Sequence, residues 1–363
     1  MRIYNIVLTG GPCAGKTTAL KSIKEYLEER DVPCIIVKET ATELIESGLI
    51  PSNNIFEFQR LVMQRQLEKE RKAKEEAKIE LNKHSYYDKC VIIYDRGLFD
   101  NRAYLDTESD FKKLLDMYNI DGINYLERYD MVLNLLSLAT CKPEAYIGDN
   151  IRLEGIEEAK RLDRKTSLCW INHHNLKVVS SKDIIERETQ VILNYIASLI
   201  DGKEEAYIDR YEVDKKNSSL DKYFSYGNYA LFEEYYINIG DPKYIAKVTK
   251  KKLNNEEAYI IEIYKESKGI RKCVYNKIIS KEKVRELFSE YSIYDIMEKR
   301  VVSFISNQHL FRLWEDGVGK VVLECIKVDP DEEVKIPEGI EIHKDAIVTP
   351  GGITIRKMRK LLR

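Results

Sequence analysis

The chain has 363 residues, enough for two or three domains. Hydrophobic residues make up 44% and charged residues 33%, with a net charge of −2 and a pI near 6.3; this balance excludes the basic footprint of a general nucleic-acid binder. Seven dispersed cysteines with no C-x-x-C pair exclude a disulfide framework, no apolar run approaches the ~20 residues of a membrane span, and no signal-peptide pattern follows Met1, so a cytoplasmic protein without a transmembrane segment is expected.

The first half alternates short apolar runs with longer helical stretches. Residues 3–9 read as a strand and 17–30 as a helix with Ala19, Leu20, Ile23 and Leu27 near helical spacing. Residues 33–37 follow as a strand, 56–83 as a long charged helix, and 90–94, 131–136 and 176–179 as further strands. Helices are expected at 156–170 and 182–200. Strands apolar throughout and separated by helices predict a parallel sheet covered on both faces, an α/β domain over residues 1–202.

Beyond residue 202 the pattern changes to extended segments separated by Asn, Gly and Lys turns, at 207–213, 234–239, 244–249, 258–264, 272–279, 301–305, 310–314 and 321–326. One helix, 281–291, interrupts them. This predicts a mostly antiparallel β domain, possibly closed into a barrel, over residues 203–348, followed by a basic tail at 349–363.

Gly10-Gly11-Pro12-Cys13-Ala14-Gly15-Lys16-Thr17 matches G-x-x-x-x-G-K-[ST] in full, after a strand and before a helix. Glycines let backbone N–H groups converge on phosphate oxygens, and the helix N-terminus adds partial positive charge. Lys16 is expected on the β- and γ-phosphates, the Thr17 hydroxyl on magnesium, and Thr18 beside them in the cradle. A nucleoside triphosphate, ATP or GTP, with Mg2+ is the implied ligand. The guanine-reading N-K-x-D signature is absent from this half, which leaves the base open.

A magnesium-bound triphosphate needs carboxylates at the ends of neighbouring strands. Asp95 follows the run 91–94, and Glu39 ends the run 33–37. One is expected near the metal, with Asp95 as the ligand, and the other on an acceptor hydroxyl. Arg96 is a candidate phosphate contact. Between the fourth and fifth strands, Arg152, Arg161 and Arg164 stand where small-molecule kinases place arginines over the transferring phosphoryl group, with surface pairing to Glu157, Glu158 and Asp163 as the alternative. His173-His174 reads as a structural turn.

GGPCAGKTT, KETATELIESG, YDRGLFDNRAY, YDMVLNLL and RLEGIEEAKRLDRKTSLCWINHHNLKVV together resemble the P-loop family that joins nicotinamide riboside kinase-like domains with the TRPL translocation-defect proteins. The resemblance covers roughly residues 1–200. It implies an ATP- or GTP-binding kinase-like fold, active-site roles for Glu39 and Asp95, and lid roles for Arg152, Arg161 and Arg164. Thr42 stands where an arginine is expected. The second half resembles a CYTH-type triphosphate-tunnel domain, mostly by strand pattern. Where that family has an E-x-E-x-K strand, this chain reads Tyr207-Ile208-Asp209-Arg210-Tyr211, so triphosphatase activity is not expected. Lys247, Lys250, Lys252, Lys265, Arg271 and Arg300 remain as a candidate cationic site for a phosphorylated small molecule or a phosphoinositide-type headgroup; the alternative is solvated lysine on strand edges.

Three functions follow. The first is a Mg-dependent phosphotransferase acting on a small hydroxyl acceptor, with slow hydrolysis when water replaces it. The second is a nucleotide-dependent switch whose β domain binds a phosphorylated ligand or anionic headgroup. The third, a polynucleotide-end kinase, is disfavoured by the near-neutral charge.

Overall fold

The computed structural model describes residues 1–51, 54–83, 86–146, 155–180, 185–201, 207–225, 229–267, 270–327, 333–343 and 347–348. Arg152 and the 349–363 tail lie outside them. The chain divides into two units, Met1–Ile196 and Ala197–Arg363.

The first unit is built on five parallel strands: β1 (Arg2–Gly10), β2 (Cys34–Val37), β3 (Lys89–Asp95), β4 (Met131–Leu135) and β5 (Leu176–Val179), ordered β2-β3-β1-β4-β5. β4 is buried at every position, and Cys90–Tyr94 of β3 likewise. Such strands cannot alternate polar and apolar residues, because helices cover both faces of the sheet. Helices α1 (Lys16–Glu28), α2 (Thr40–Glu46) and α3 (Ile55–Lys83) precede β3; α4 (Asn101–Tyr104), α5 (Glu108–Met117) and α6 (Gly122–Glu127) follow it. Next come α7 (Leu138–Cys141) and α8 (Ile156–Trp170), and α9 (Ile185–Ile200) runs across the division of the chain. From β1 the chain runs to β2 on one side, and from β3 it crosses β1 to reach β4 on the other. That reversal opens a crevice at the carboxyl ends of the strands, where ligands of open α/β sheets collect.

The second unit carries nine strands: β6 (Tyr207–Glu212), β7 (Ala230–Ile237), β8 (Tyr244–Leu253), β9 (Glu256–Ser267), β10 (Ile270–Ile279), β11 (Ile293–Ser306), β12 (His309–Asp316), β13 (Val321–Lys327) and β14 (Ile347–Val348). All pair antiparallel, in the order β10-β9-β8-β7-β11-β12-β13-β6-β14; among the described residues no ladder joins the two ends of this series. One face is apolar. Ile237, Ala246, Val248 and Ile261 pack there with Val284 of helix α10 (Lys281–Glu290), and Phe311, Leu313, Val321 and Leu323 pack there with Ile340. The other face is polar yet largely buried.

Candidate functional site

The loop between β1 and α1 has the backbone that its glycines permit. A Cβ on Gly10 (φ +142°) would lie 2.1 Å from the Leu135 carbonyl oxygen, and one on Gly11 would lie 2.7 Å from the Asp163 Cβ. Gly15 (φ +76°) and Cys13 (φ +53°) are left-handed, as a loop turning its amides inward requires. Lys16 is buried and folds back over the loop, its Nζ donating to the carbonyls of Gly10 and Gly11 at 3.0 Å each. Thr17 and Thr18, at the start of α1, are exposed.

Both predicted carboxylates arrive at this loop. Leu8 of β1 pairs with Asp95 at the end of β3, and Glu39 immediately precedes α2. Arg96, with its side chain 7% exposed, directs its Nε to Glu39 Oε1 at 2.7 Å and its Nη1 toward Asp100 Oδ1 at 3.7 Å. The other Glu39 oxygen accepts from the Thr42 hydroxyl at 3.1 Å. Asp100 in turn accepts from the Thr9 hydroxyl and from the Gly97 amide. Arg96 is therefore engaged by carboxylates, a different placement from the phosphate contact suggested by its position in the sequence.

The two acids differ electrostatically. Burial works to raise the Glu39 pKa, but Arg96 and then Lys16 overcome it and hold the group below the ordinary glutamate value. Asp95 is raised, by burial and then by the Glu39 charge, with Lys16 and Arg96 opposing. Its Oδ1 is buried without a hydrogen-bond partner. A buried carboxylate oxygen without a partner, with the exposed Thr17 hydroxyl at the start of α1 as a second oxygen donor, fits a hydrated magnesium ion by the chemistry of its donors.

The arginines of α8 separate. Arg161 pairs with Glu158 one turn earlier, both exposed, so the surface alternative describes it. Arg164 is exposed. Between them in the chain lies Asp163, 1% exposed, whose carboxylate accepts from the Gly11 amide (3.0 Å), the Ser137 amide (3.0 Å) and the Thr140 hydroxyl (2.6 Å). Sequence reading treated Asp163 as a surface ion-pair partner; the bond spans 152 positions and left no local signal.

His173 is a satisfied buried histidine. Its Nδ1 accepts from the Asn175 amide at 3.1 Å, which leaves Nε2 to donate to the Tyr129 carbonyl at 3.0 Å. His174 pairs through Nδ1 with the buried Glu127. These three residues form the one group of metal-ligand type among the described residues, and the bonds of His173 occupy both of its ring nitrogens.

In the β unit the ladder register divides the candidate cations. Lys247 pairs across strands with Tyr236 and Glu262, on the buried polar face. There it contacts Glu234 at 2.9 Å and Glu262 at 2.8 Å, and Lys299 of β11 reaches Glu234 at 2.8 Å over the Trp314 ring. Burial would raise the Glu234 pKa, yet Lys247 and Lys299 drive it far below the carboxylate range. Arg210 and Glu324 pair on the same face at 2.7 Å. By alternation Lys250, Lys252, Lys265 and Arg300 belong to the opposite face. Lys250 there meets Glu233 and Glu257, and Arg300 meets Glu315, while Lys252 and Lys265 are exposed. The five predicted cations whose side chains are described thus do not share one face. The Arg271 side chain lies outside the described residues.

No helix among the described residues is long and apolar enough to cross a membrane. No curated protein matches the chain. Similar solved structures include a candidate adenylate cyclase from Bacillus halodurans, 13% identical over 36% of this chain and 84% of that one with a TM-score of 0.29. They also include a protein of Pyrococcus horikoshii OT3, 12% identical over 35% and 80% with a TM-score of 0.28. Likeness at this level bears on neither fold nor activity. A family model described as "AAA domain" matches residues 5–187, half of the chain, running from within β1 past the end of β5 and including the phosphate-loop motif; the chain belongs to that family.

Proposed function

We infer that the first unit binds a nucleoside triphosphate with magnesium and transfers its γ-phosphoryl group to a hydroxyl of a small acceptor. The observation that carries this reading is the pairing of a complete phosphate loop with two carboxylates in different electrostatic states. Thr17 and Asp95 would hold the magnesium ion, which would supply charge neutralisation on the triphosphate when bound. Lys16, already stripped of bulk water against two carbonyls, meets the same oxygens.

Glu39 orients the acceptor. Arg96 and Thr42 restrain its two oxygens, and its depressed pKa keeps it ionised through neutral pH, so it accepts a hydrogen bond from the attacking hydroxyl. The acceptor oxygen forms a bond to the γ-phosphorus while the bond to the β–γ bridging oxygen breaks, and the diphosphate leaves. In a loose transition state the acceptor proton departs late and passes to the Glu39 carboxylate, so a weakly basic group in the right place suffices.

The test is conversion of ATP and GTP to the diphosphates with and without a panel of ribosides, nicotinamide riboside among them. An active acceptor accelerates turnover. Glu39→Gln is expected to cut that acceleration by about 100-fold or more while nucleotide affinity stays within about threefold. Acceptor-stimulated turnover that survives Glu39→Gln unchanged overturns the assignment.

A further inference from the structure

The mechanism above uses the inner, phosphate-facing side of the loop. The outer side is gripped as well, by groups with no role in binding phosphate. Asp163 Oδ1 accepts from the Gly11 amide and, at the same 3.0 Å, from the Ser137 amide. The Ser137 hydroxyl donates to the Pro12 carbonyl, and the Leu138 amide reaches the Cys13 carbonyl at 3.4 Å. Pro12 and Cys13 are therefore tied directly to the turn after β4, and one carboxylate from α8 fastens Gly11 to the same turn. The approach is as close as the chain allows, since any β-carbon on Gly11 would collide with Asp163.

Asp163 is the buried link between this bracing and α8. Burial raises its pKa, and the Thr140, Ser137 and Gly11 bonds oppose the rise. In a helix each residue advances 100°, so Arg164 emerges about 100° around from the face that meets the loop and Arg161 about 160° around from it. Arg161, paired with Glu158, points away. Whatever shifts the Gly11 peptide must either move α8 or break a buried hydrogen bond to a carboxylate.

We propose that Asp163 is a positioning residue that couples nucleotide occupancy of the phosphate loop to the seating of helix α8. The inference rests on the nucleotide-binding reading. When phosphate orders residues 10–18, the Gly11 amide is fixed, Asp163 is fixed with it, and α8 with its Arg164 is held in register. Without nucleotide the same bond leaves helix and loop to move together.

Hydrogen exchange on the full chain, with and without saturating Mg-ATP or Mg-GTP, reads both ends of this linkage. In the wild type, nucleotide is expected to slow exchange in residues 10–18 and in Ile156–Trp170 together. In Asp163→Ala the loop keeps its protection at saturating nucleotide, α8 loses it, and the nucleotide Kd rises about tenfold. Asp163→Asn retains an oxygen that accepts both amides and is expected to behave as the wild type, which separates loss of the bond from loss of folding. Three results overturn the proposal: loop protection in the wild type with none in α8, equal protection of α8 in Asp163→Ala, or uncoupling in Asp163→Asn. Absence of protection anywhere in the wild type overturns the nucleotide reading itself, and this proposal with it.

Discussion

The two units handle buried charge in opposite ways. At the phosphate loop, the partly buried Asp95 and the buried Asp163 have raised pKa values, and Asp95 keeps a buried oxygen without a partner. In the β unit, Glu234 is buried and Glu262 and Glu324 are partly buried, yet each is driven below its ordinary value by a lysine or arginine in contact. The first arrangement leaves charge available to an incoming cation and polyphosphate. The second has already neutralised itself. A row of lysines on strands is thus not evidence of an anion site until the register shows which of them lack a carboxylate across the ladder.

The sharpest way to break this contrast is Glu234→Gln. It takes the Glu234 carboxylate from Lys299 and leaves Lys247 with Glu262 alone, and removing one partner of a buried pair costs about 3–5 kcal/mol. Each unit has one tryptophan, Trp170 and Trp314, so in a Trp170→Phe background the urea midpoint followed by Trp314 fluorescence reports the β unit. An unchanged midpoint refutes the idea that this face is held by its ion pairs.

Lys16→Ala comes next. It is expected to weaken Mg-ATP or Mg-GTP binding about 100-fold, roughly 2.7 kcal/mol, by calorimetric titration, because the charge removed is waiting for the ligand. Retained affinity would remove the ground for reading the loop as a phosphate cradle.

Acid sharpens the comparison by its sign. Glu234, Glu262 and Glu324 have folded pKa values below the unfolded glutamate value of about 4.3. Their stabilisation is complete above that pH and is lost as pH falls below it toward the folded values. Asp95 and Asp163 are shifted upward, so protonating them favours the folded form. The Trp314 midpoint is therefore expected to fall between pH 5 and 3, and these two aspartates contribute no such loss to the first unit.

The smallest expected effect is that of Arg161→Ala. An exposed pair one helical turn apart is worth under about 0.5 kcal/mol, so stability and nucleotide affinity should both stay close to wild type. A tenfold loss of turnover would return Arg161 to the phosphoryl site.

Much of the first unit was legible in the chain. The motif from Gly10 to Thr17 carries its own backbone geometry, and Asp95 and Glu39 were found because apolar runs end at them. The helices α2 and α4 to α7 were missed, being short and interrupted by polar turns. Asp163 and Ser137 were missed for another reason: their partners are backbone groups of a loop more than 120 positions away, and a bond to an amide has no sequence signature. In the β unit the strands were visible but their faces were not. The stretch Lys247-Val248-Thr249-Lys250-Lys251-Lys252 puts lysine on both parities, so composition could not say which side chains point into the polar face. Only the pairing of Lys247 with Glu262 and Tyr236 decides it.

Arg96 sits at φ +67°, a conformation that costs a side-chain-bearing residue about 1–3 kcal/mol and that its neighbour Gly97 would adopt freely. Its guanidinium meanwhile stands between two acids that would otherwise repel each other across the crevice. Backbone and electrostatics therefore pull this position toward different amino acids. A glycine here would give a more relaxed main chain and a Glu39 with one restraint fewer, so a search for stabilising substitutions would select a change that loosens the acceptor side of the pocket.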